Sequence, residues 1–538
     1  MADKDTTEVA EPEEAGGDKT GVRRWLGSGE RRSDRAFLIF VLVLIGGYIA
    51  LFLTLSLLRY ANFRASSLDT AIFNQVTWLL SRFDGATSTI RGMNLFGDHM
   101  APILFFLVPL HWVRGNAPAL LTVQTIALAL GALPLYLLAR DKLGSRPIAL
   151  ALAVAYLAYP ALEHFNLFDF HPESLGLCFL LFAFLAIDRK KFTWFYVLCF
   201  AAAICKEDMV LAVLVLGILV YFKYDRRAGK IVAIGSGVYF LVSVLFLLPA
   251  FAPVGYQYGG RLGQFGETPL EAARNMAFHP LRTFNILATR QNLRYFFDLM
   301  LPVGFLCLLA PTYLLPAAPA FIINMVSSFS PQHTILNQYT AAMTPFIFIA
   351  VIFGLRKIKN WAEGGFRQRY VMGAVAFVMV ACAFAGNFYF SPSPLSGSWN
   401  TKLYTSDSHI DAMREGISLV PDDASVSAQV FLLAHLSERE DLYMFPEPFV
   451  DYVDQEYFDG LGEGVRIIFP KYYRRREKGA DPSEYPIPEV DYIALDSGSS
   501  VWPLPEDQYE KVVRGVRDSG EYMTVFERDG VLILKRRE

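Results

Sequence analysis

Four polar groups stand out because each interrupts or adjoins an apolar run: Asp69 in SSLDTAIFNQ, Asp98-His99 in FGDHMAP, Asp169/His171/Glu173 in NLFDFHPESL, and Lys206-Glu207-Asp208 in AICKEDMVL. A charge at the bilayer centre costs about 2.5 to 3.5 kcal/mol on insertion scales, so a chain carrying several near membrane depth has a use for them. Two chemistries suit such a set. Asp69, Asp98, His99, Asp169, His171 and Glu173 are candidate ligands for a divalent cation such as Mg²⁺ or Mn²⁺. Such ions need only one or two carboxylates plus ligand phosphates, so spacing alone does not establish a metal. Alternatively, a carboxylate deprotonates an acceptor hydroxyl while cations stabilise a phosphate leaving group.

Each group also has a plainer role. Asp69 follows Ser66-Ser67 as a helix cap would, Asp98-His99 suits a polar loop, Asp169 to Glu173 suits an interfacial turn with Pro172 opening the next helix, and Lys206-Glu207-Asp208 suits an ion pair tying two half-helices. Together these plain roles require four coincidences on one face. His333 in SPQHTILNQY, and the arginines at 261, 274, 282, 290 and 294, are weaker signals individually.

The elements that must position these groups are membrane helices. The chain has 538 residues, 53% hydrophobic and 14% aromatic, which is far more apolar than a soluble protein of this length requires. Its net charge of −3 carries no nucleic-acid signal, and no nucleic-acid partner is expected. The five cysteines lie inside apolar segments and suit small core residues. Residues 1–35 form a polar tail expected to be disordered. The first apolar run, Ala36 to Leu58, is 23 residues long and lacks a cleavage site. Arg31, Arg32 and Arg35 before it place the N-terminus in the cytoplasm.

Basic connections at 140–146, 188–191, 223–227 and 356–369 set the remaining topology, with 101–113 too short to cross. The segment 192–222 runs between two basic clusters, and two short helices meeting at Lys206-Glu207-Asp208 keep both clusters inside. Apolar segments at 296–310 and 312–327 form an inward and outward pair. The pattern gives about eleven spans over residues 36–390 and puts all four polar groups on the extracytoplasmic side. Residues 391–538 turn soluble in composition: short strands in ASVSAQVF, DLYMF and VDYIALD, a helix in PEDQYEKVVRGVRDSG, and a hairpin turning at Asp529-Gly530. The expected fold is therefore mainly α, a polytopic helical domain with a C-terminal extracytoplasmic α/β domain.

The stretches LDTAIFNQVTW, FGDHMAPILFFLVPL, NLFDFHPESL, KEDMVL, QYTAAMTPF and VSAQVFLLAHLSERE resemble a family of bacterial multi-pass proteins known as a membrane domain of unknown function. That family is similar in turn to the GT-C glycosyltransferases, which use polyprenyl-phosphate sugars. The resemblance implies a catalytic base or metal ligand at Asp69, a second acidic residue at Asp169, and a phosphate contact at Lys206. Asn74 stands where an Asp is common, and Asn337-Gln338-Tyr339 replaces a more usual His-Tyr pair.

The expected function is a membrane glycosyltransferase of the bacterial cytoplasmic membrane, moving sugar from a polyprenyl-phosphate donor to an extracytoplasmic acceptor with inversion. Asp69 and Asp169 are the catalytic candidates; Asp98, His99, His171, Glu173, Lys206, Glu207, Asp208 and His333 are the substrate-binding candidates. A transporter or lipid flippase using the buried acids, and a scaffold for envelope assembly, are the rival functions.

Overall fold

The computed structural model describes residues 28–113, 116–252, 258–262, 264–266, 269–461 and 488–538. The tail expected at 1–35 lies outside these up to residue 27. Seven helices matter most here: α1 (Ser28–Ala61), α2 (Leu68–Ser81), α3 (Glu173–Asp188), α4 (Glu207–Lys223), α5 (Arg226–Val242), α6 (Gly365–Phe390) and α7 (Glu506–Asp518).

Among the described residues, four helical stretches are long and apolar enough to cross a membrane: Ser33–Ala61, Ala117–Leu143, Arg226–Phe251 and Gly365–Phe390. A fifth arises if Arg146–Leu157 and Pro160–Leu167, bent by 43°, form one span. The protein is thus helical with several candidate spans, fewer than eleven by this measure because many apolar segments are broken. Phe192–Ala203 and α4 are separated at Lys206, whose extended backbone (φ −171°, ψ 156°) ends one helix and opens the next. The pair expected at 296–310 and 312–327 departs most. Pro302, Pro311 and Pro316 remove backbone donors, and the chain there runs as 3-10 turns over Leu301–Val303, Leu306–Leu309 and Pro311–Ala317 before the short helix Ala318–Val326.

Helices α4 and α5 are packed backbone to backbone. A Cβ on Gly229 would fall 2.1 Å from the Tyr221 nitrogen, and one on Gly217 would fall 2.6 Å from the Ala233 nitrogen. Small residues permit this approach, as in membrane helix pairs generally. Gly229→Ala is expected to force the pair apart and cost about 1 to 3 kcal/mol. A thermal melt in detergent should show a lower Tm; an unchanged Tm would refute the close packing.

The C-terminal part carries a five-stranded sheet of β1 (Val426–Ala428), β2 (Leu442–Met444), β3 (Tyr492–Asp496), β4 (Tyr522–Arg528) and β5 (Val531–Arg536), ordered β2-β1-β3-β5-β4. β1 pairs in parallel with β2 and β3, and β5 pairs antiparallel with β3 and β4. The β4–β5 turn places Asp529 (φ 51°) and Gly530 (φ 83°) in the left-handed region that a two-residue hairpin requires. One sheet face packs with α7; the other shares a core with α2, joining Ile72, Phe73 and Val76 to Val426, Leu432 and Ile533.

His435 links this region to the end of α1. Its ring lies 4.1 Å from Tyr60 and 4.0 Å from Phe63, and its Nε2 donates to the Tyr60 carbonyl at 2.9 Å. Burial pulls its pKa from 6.5 down to about 4. The unfolded state therefore takes up the proton first on acidification, so this contribution is complete above pH 6.5 and is lost as pH falls toward 4. Hydrogen exchange of the β1 and β3 amides should show protection declining across that window, and the decline should flatten in His435→Gln. Protection that is flat in the parent chain would overturn this.

Candidate active site

The site begins at the first turn of α2. Both oxygens of Asp169 accept backbone N–H groups from that turn, from Ser67 at 2.8 Å and from Asp69 at 3.0 Å. The Phe170 N–H donates to Thr70 Oγ1 at 3.0 Å. Gln124 holds the same segment from the other side: its Oε1 accepts from the His171 N–H at 2.9 Å, and its Nε2 donates to the Phe165 and Asp169 carbonyls at 3.2 Å. A fully buried carboxylate thus fixes the backbone that presents Asp69. Asp169 positions; Asp69 faces outward, with 39% of its side chain exposed.

His171 Nε2 lies 3.4 Å from Asp69 Oδ2, while its Nδ1 meets the Asp169 carbonyl at 3.0 Å and its ring stacks on Phe168. Burial opposes charge on both partners. Their mutual hydrogen bond and attraction win, raising the His171 pKa and lowering that of Asp69.

A second layer surrounds Asp98. Arg91 Nε reaches Asp98 Oδ2 at 2.9 Å and the Tyr258 hydroxyl donates to Oδ1 at 2.6 Å. Burial disfavours the ionised form, but Arg91, His99 and Tyr258 hold Asp98 well below the usual carboxylate range. His99 lies flat on Tyr258, with ring centroids 5.1 Å apart, and its Nδ1 meets Glu207 Oε1 at 3.2 Å; Glu207 Oε2 accepts from the Met100 N–H. Lys206 Nζ donates to Glu173 Oε1 at 2.6 Å. Among the described residues, Glu173 Oε2 and Asp208 Oδ1 are buried without a hydrogen-bond partner.

Of these groups, His99, Lys206, Glu207, Asp208 and Tyr258 line a cavity of about 330 Å³. Its polar side carries His99, Lys206, Asp208, Tyr258, Arg261 and Tyr339. Its other side is apolar, with Leu211 from α4, Phe240 from α5, and Ile323. Arg261 sits 4.3 Å over the rings of both Tyr258 and Phe329. Among the described residues no carboxylate forms an ion pair with it. Leu241 of α5, and Leu245 and Phe246 in the turns that follow it, are exposed apolar surface. Asp69 is linked to this cavity through contacts: it lies 3.4 Å from His171, two residues before Glu173, whose carboxylate meets the lining residue Lys206 at 2.6 Å.

An outward-presented acid, a polar end carrying both cations and carboxylates, and an apolar wall on a bundle of candidate spans describe a membrane protein with a polar site. The family model Predicted membrane protein (DUF2079) matches residues 59–533. The chain belongs to this family. Among solved structures, this family member is similar to ArnT from Cupriavidus metallidurans bound to undecaprenyl phosphate, at 12% identity and TM-score 0.47, covering 91% of this chain and 98% of that one. The apo ArnT structure gives 13% identity and TM-score 0.46 over the same shares. The archaeal oligosaccharyltransferase AglB from Archaeoglobus fulgidus, in complex with an inhibitory peptide and a dolichol-phosphate, gives 12% identity and TM-score 0.39, covering 83% of this chain and 69% of that one. No curated protein matches the chain.

In this family member the residues Asp69, Asp98, His99, Asp169, His171, Glu173, Lys206, Glu207 and Asp208 come together. His333 does not join them: its Nδ1 meets Asn292 Oδ1 and its Nε2 the Ser327 carbonyl, on the wall of a separate cavity. The six candidate ligands do not fit a divalent cation. Arg91 holds Asp98, backbone N–H groups hold Asp169, Lys206 holds Glu173, and among the described residues no three His, Cys, Asp or Glu side chains gather to hold an ion. Asn74 instead donates to Ser437 Oγ, and Gln338 is buried. Sequence reasoning missed Arg91, Tyr258 and Tyr339 and undervalued Arg261. Only proximity in sequence hinted at Arg91, seven residues before Asp98.

Proposed function

We propose that the protein is a membrane glycosyltransferase that moves a sugar from a polyprenyl-phosphate donor to an extracytoplasmic acceptor. One observation carries the proposal: Lys206 and Arg261 meet an apolar wall in a single cavity, and Lys206 is linked through Glu173 to the His171–Asp69 pair. A lipid phosphate has that same division, an anionic head on an apolar chain. The phosphate would sit at Lys206 and Arg261, with the chain along Leu211, Phe240 and Ile323.

Asp69 then takes the proton of the acceptor hydroxyl. The hydroxyl oxygen forms a bond to the anomeric carbon as the bond from that carbon to the phosphate oxygen breaks, with inversion. The electron pair leaves on the lipid phosphate, whose charge Lys206 and Arg261 balance. Asp169 keeps Asp69 in place, and His171 keeps it ionised until the acceptor arrives. This reading places the protein in the bacterial cytoplasmic membrane with the N-terminus inside and the site and the C-terminal α/β domain outside.

The test is binding of undecaprenyl phosphate to the full chain in nanodiscs, followed by native mass spectrometry with a neutral undecaprenol control. The phosphate form should bind and the neutral form should not; equal binding of the two rejects the cationic site.

A further inference from the structure

A larger cavity, about 590 Å³, lies where α1 and α6 end, and its wall includes Arg59, His164, Arg294, His333, Trp399 and Tyr404. None of the chemistry above uses it. Its charge is unusual. Arg59 donates to the Leu167 carbonyl at 2.7 Å and twice to the Arg64 carbonyl, and among the described residues it has no ion pair with a carboxylate. Arg294 is 80% exposed, with only a loose pairing to Asp298 at 3.7 Å.

His333 stands in the same wall. Its Nε2 faces the Ser327 carbonyl at 2.7 Å and its Nδ1 faces Asn292 Oδ1 at 2.6 Å. The Asn292 amide is oriented by its Nδ2, which donates to the carbonyls of Ile286 and Met325 at 3.0 and 2.8 Å, so its oxygen and not its nitrogen meets the imidazole. Both partners of the ring are oxygen atoms that accept hydrogen bonds. The wall therefore sets two guanidinium groups and the His333 imidazole against the single carboxylate of Asp298.

The rest of the wall is aromatic and polar. Trp399 stacks on Tyr404 at 4.5 Å and 15°, and Gln291, Ser398 and Asn400 stand nearby. Flat aromatic faces beside amide and hydroxyl groups match the alternating C–H and O–H surfaces of a sugar ring, while guanidinium groups match phosphate or carboxylate. We infer that this cavity binds an anionic saccharide, its charge at Arg59 and Arg294 and its ring against the Trp399–Tyr404 pair. The two cavities are neighbours: Ser327 and Gln332 line the smaller one, and His333 bonds to Ser327. Saccharide binding stands by itself; its use as the acceptor site rests on the transferase proposal.

The experiment uses the full chain in phosphatidylcholine nanodiscs and isothermal titration with tetragalacturonic acid, with neutral cellotetraose as control. Tetragalacturonate should bind, and cellotetraose should bind about tenfold more weakly or worse. Arg294→Gln, on an exposed side chain that cannot unfold the protein, and Trp399→Ala should each weaken tetragalacturonate about tenfold. Absence of binding, equal binding of both sugars, or affinity unmoved by Arg294→Gln overturns the inference. Abolition of binding by phosphatidylglycerol in the disc overturns it as well, since the cavity then takes a lipid headgroup. Tetragalacturonate binding with no discrimination between undecaprenyl phosphate and undecaprenol leaves this inference standing and rejects the transferase reading; the converse result does the opposite.

Discussion

Asp69→Asn is expected to leave the protein folded and to slow sugar transfer by about 10² to 10⁴, the range that a positioned general base supplies. The side chain is 39% exposed and its polar contact is His171 at 3.4 Å. The backbone of the turn is held by Asp169, which the substitution does not touch. Structure and activity should therefore separate, with the circular dichroism spectrum retained and the transfer of labelled sugar from a polyprenyl-phosphate donor lost. Transfer at the parent rate in the Asp69→Asn variant removes this carboxylate from the mechanism.

The pair also has a pH signature. His171 is raised, so its share of the stability is complete below its ordinary pKa of 6.5 and is lost as pH rises through the folded value. Asp69 is lowered, so its share is complete above 3.8 and is lost as pH falls through the folded value. Removing the carboxylate should weaken the alkaline dependence, because a buried imidazole without its partner has no reason to hold the second proton.

Lys206→Met should have the largest effect on stability. The ammonium and the Glu173 carboxylate are both nearly inaccessible, at 10% and 3% side-chain exposure, and lie 2.6 Å apart. Removing one partner strands the other charge in a low dielectric, which costs about 3 to 5 kcal/mol. Glu173 Oε2 already lacks a partner among the described residues, so nothing in place takes up the charge. The double variant Lys206→Met with Glu173→Gln removes both charges and should recover most of the loss. If Lys206 contacts a lipid phosphate, the double variant should still bind undecaprenyl phosphate about tenfold to a hundredfold more weakly than the parent chain, the worth of one charge-assisted contact. Recovered stability with parent-like affinity would assign Lys206 to structure alone.

Where the chain must break is written in its residue order. Three consecutive charged residues cannot continue an apolar helix through a bilayer, so the division at Lys206 was legible, as was the turn around Asp169, His171 and Glu173 before α3. The hairpin at Asp529-Gly530 was legible because a two-residue turn needs those backbone angles. These are local requirements, set by residues within a few positions of one another. Which partner each charge takes was settled by packing between distant segments. Asp169 reaches across 100 residues to cap α2 and so becomes a positioning group, and Asp98 meets Tyr258 across 160 residues. His333 pairs with Asn292 in another cavity, and the prolines at 302, 311 and 316 turned an expected pair of spans into short 3-10 turns. Carboxylates look alike along a chain. What distinguishes a cap from a base is the set of donors that packing brings within about 3 Å, and burial makes that choice costly to leave unmade.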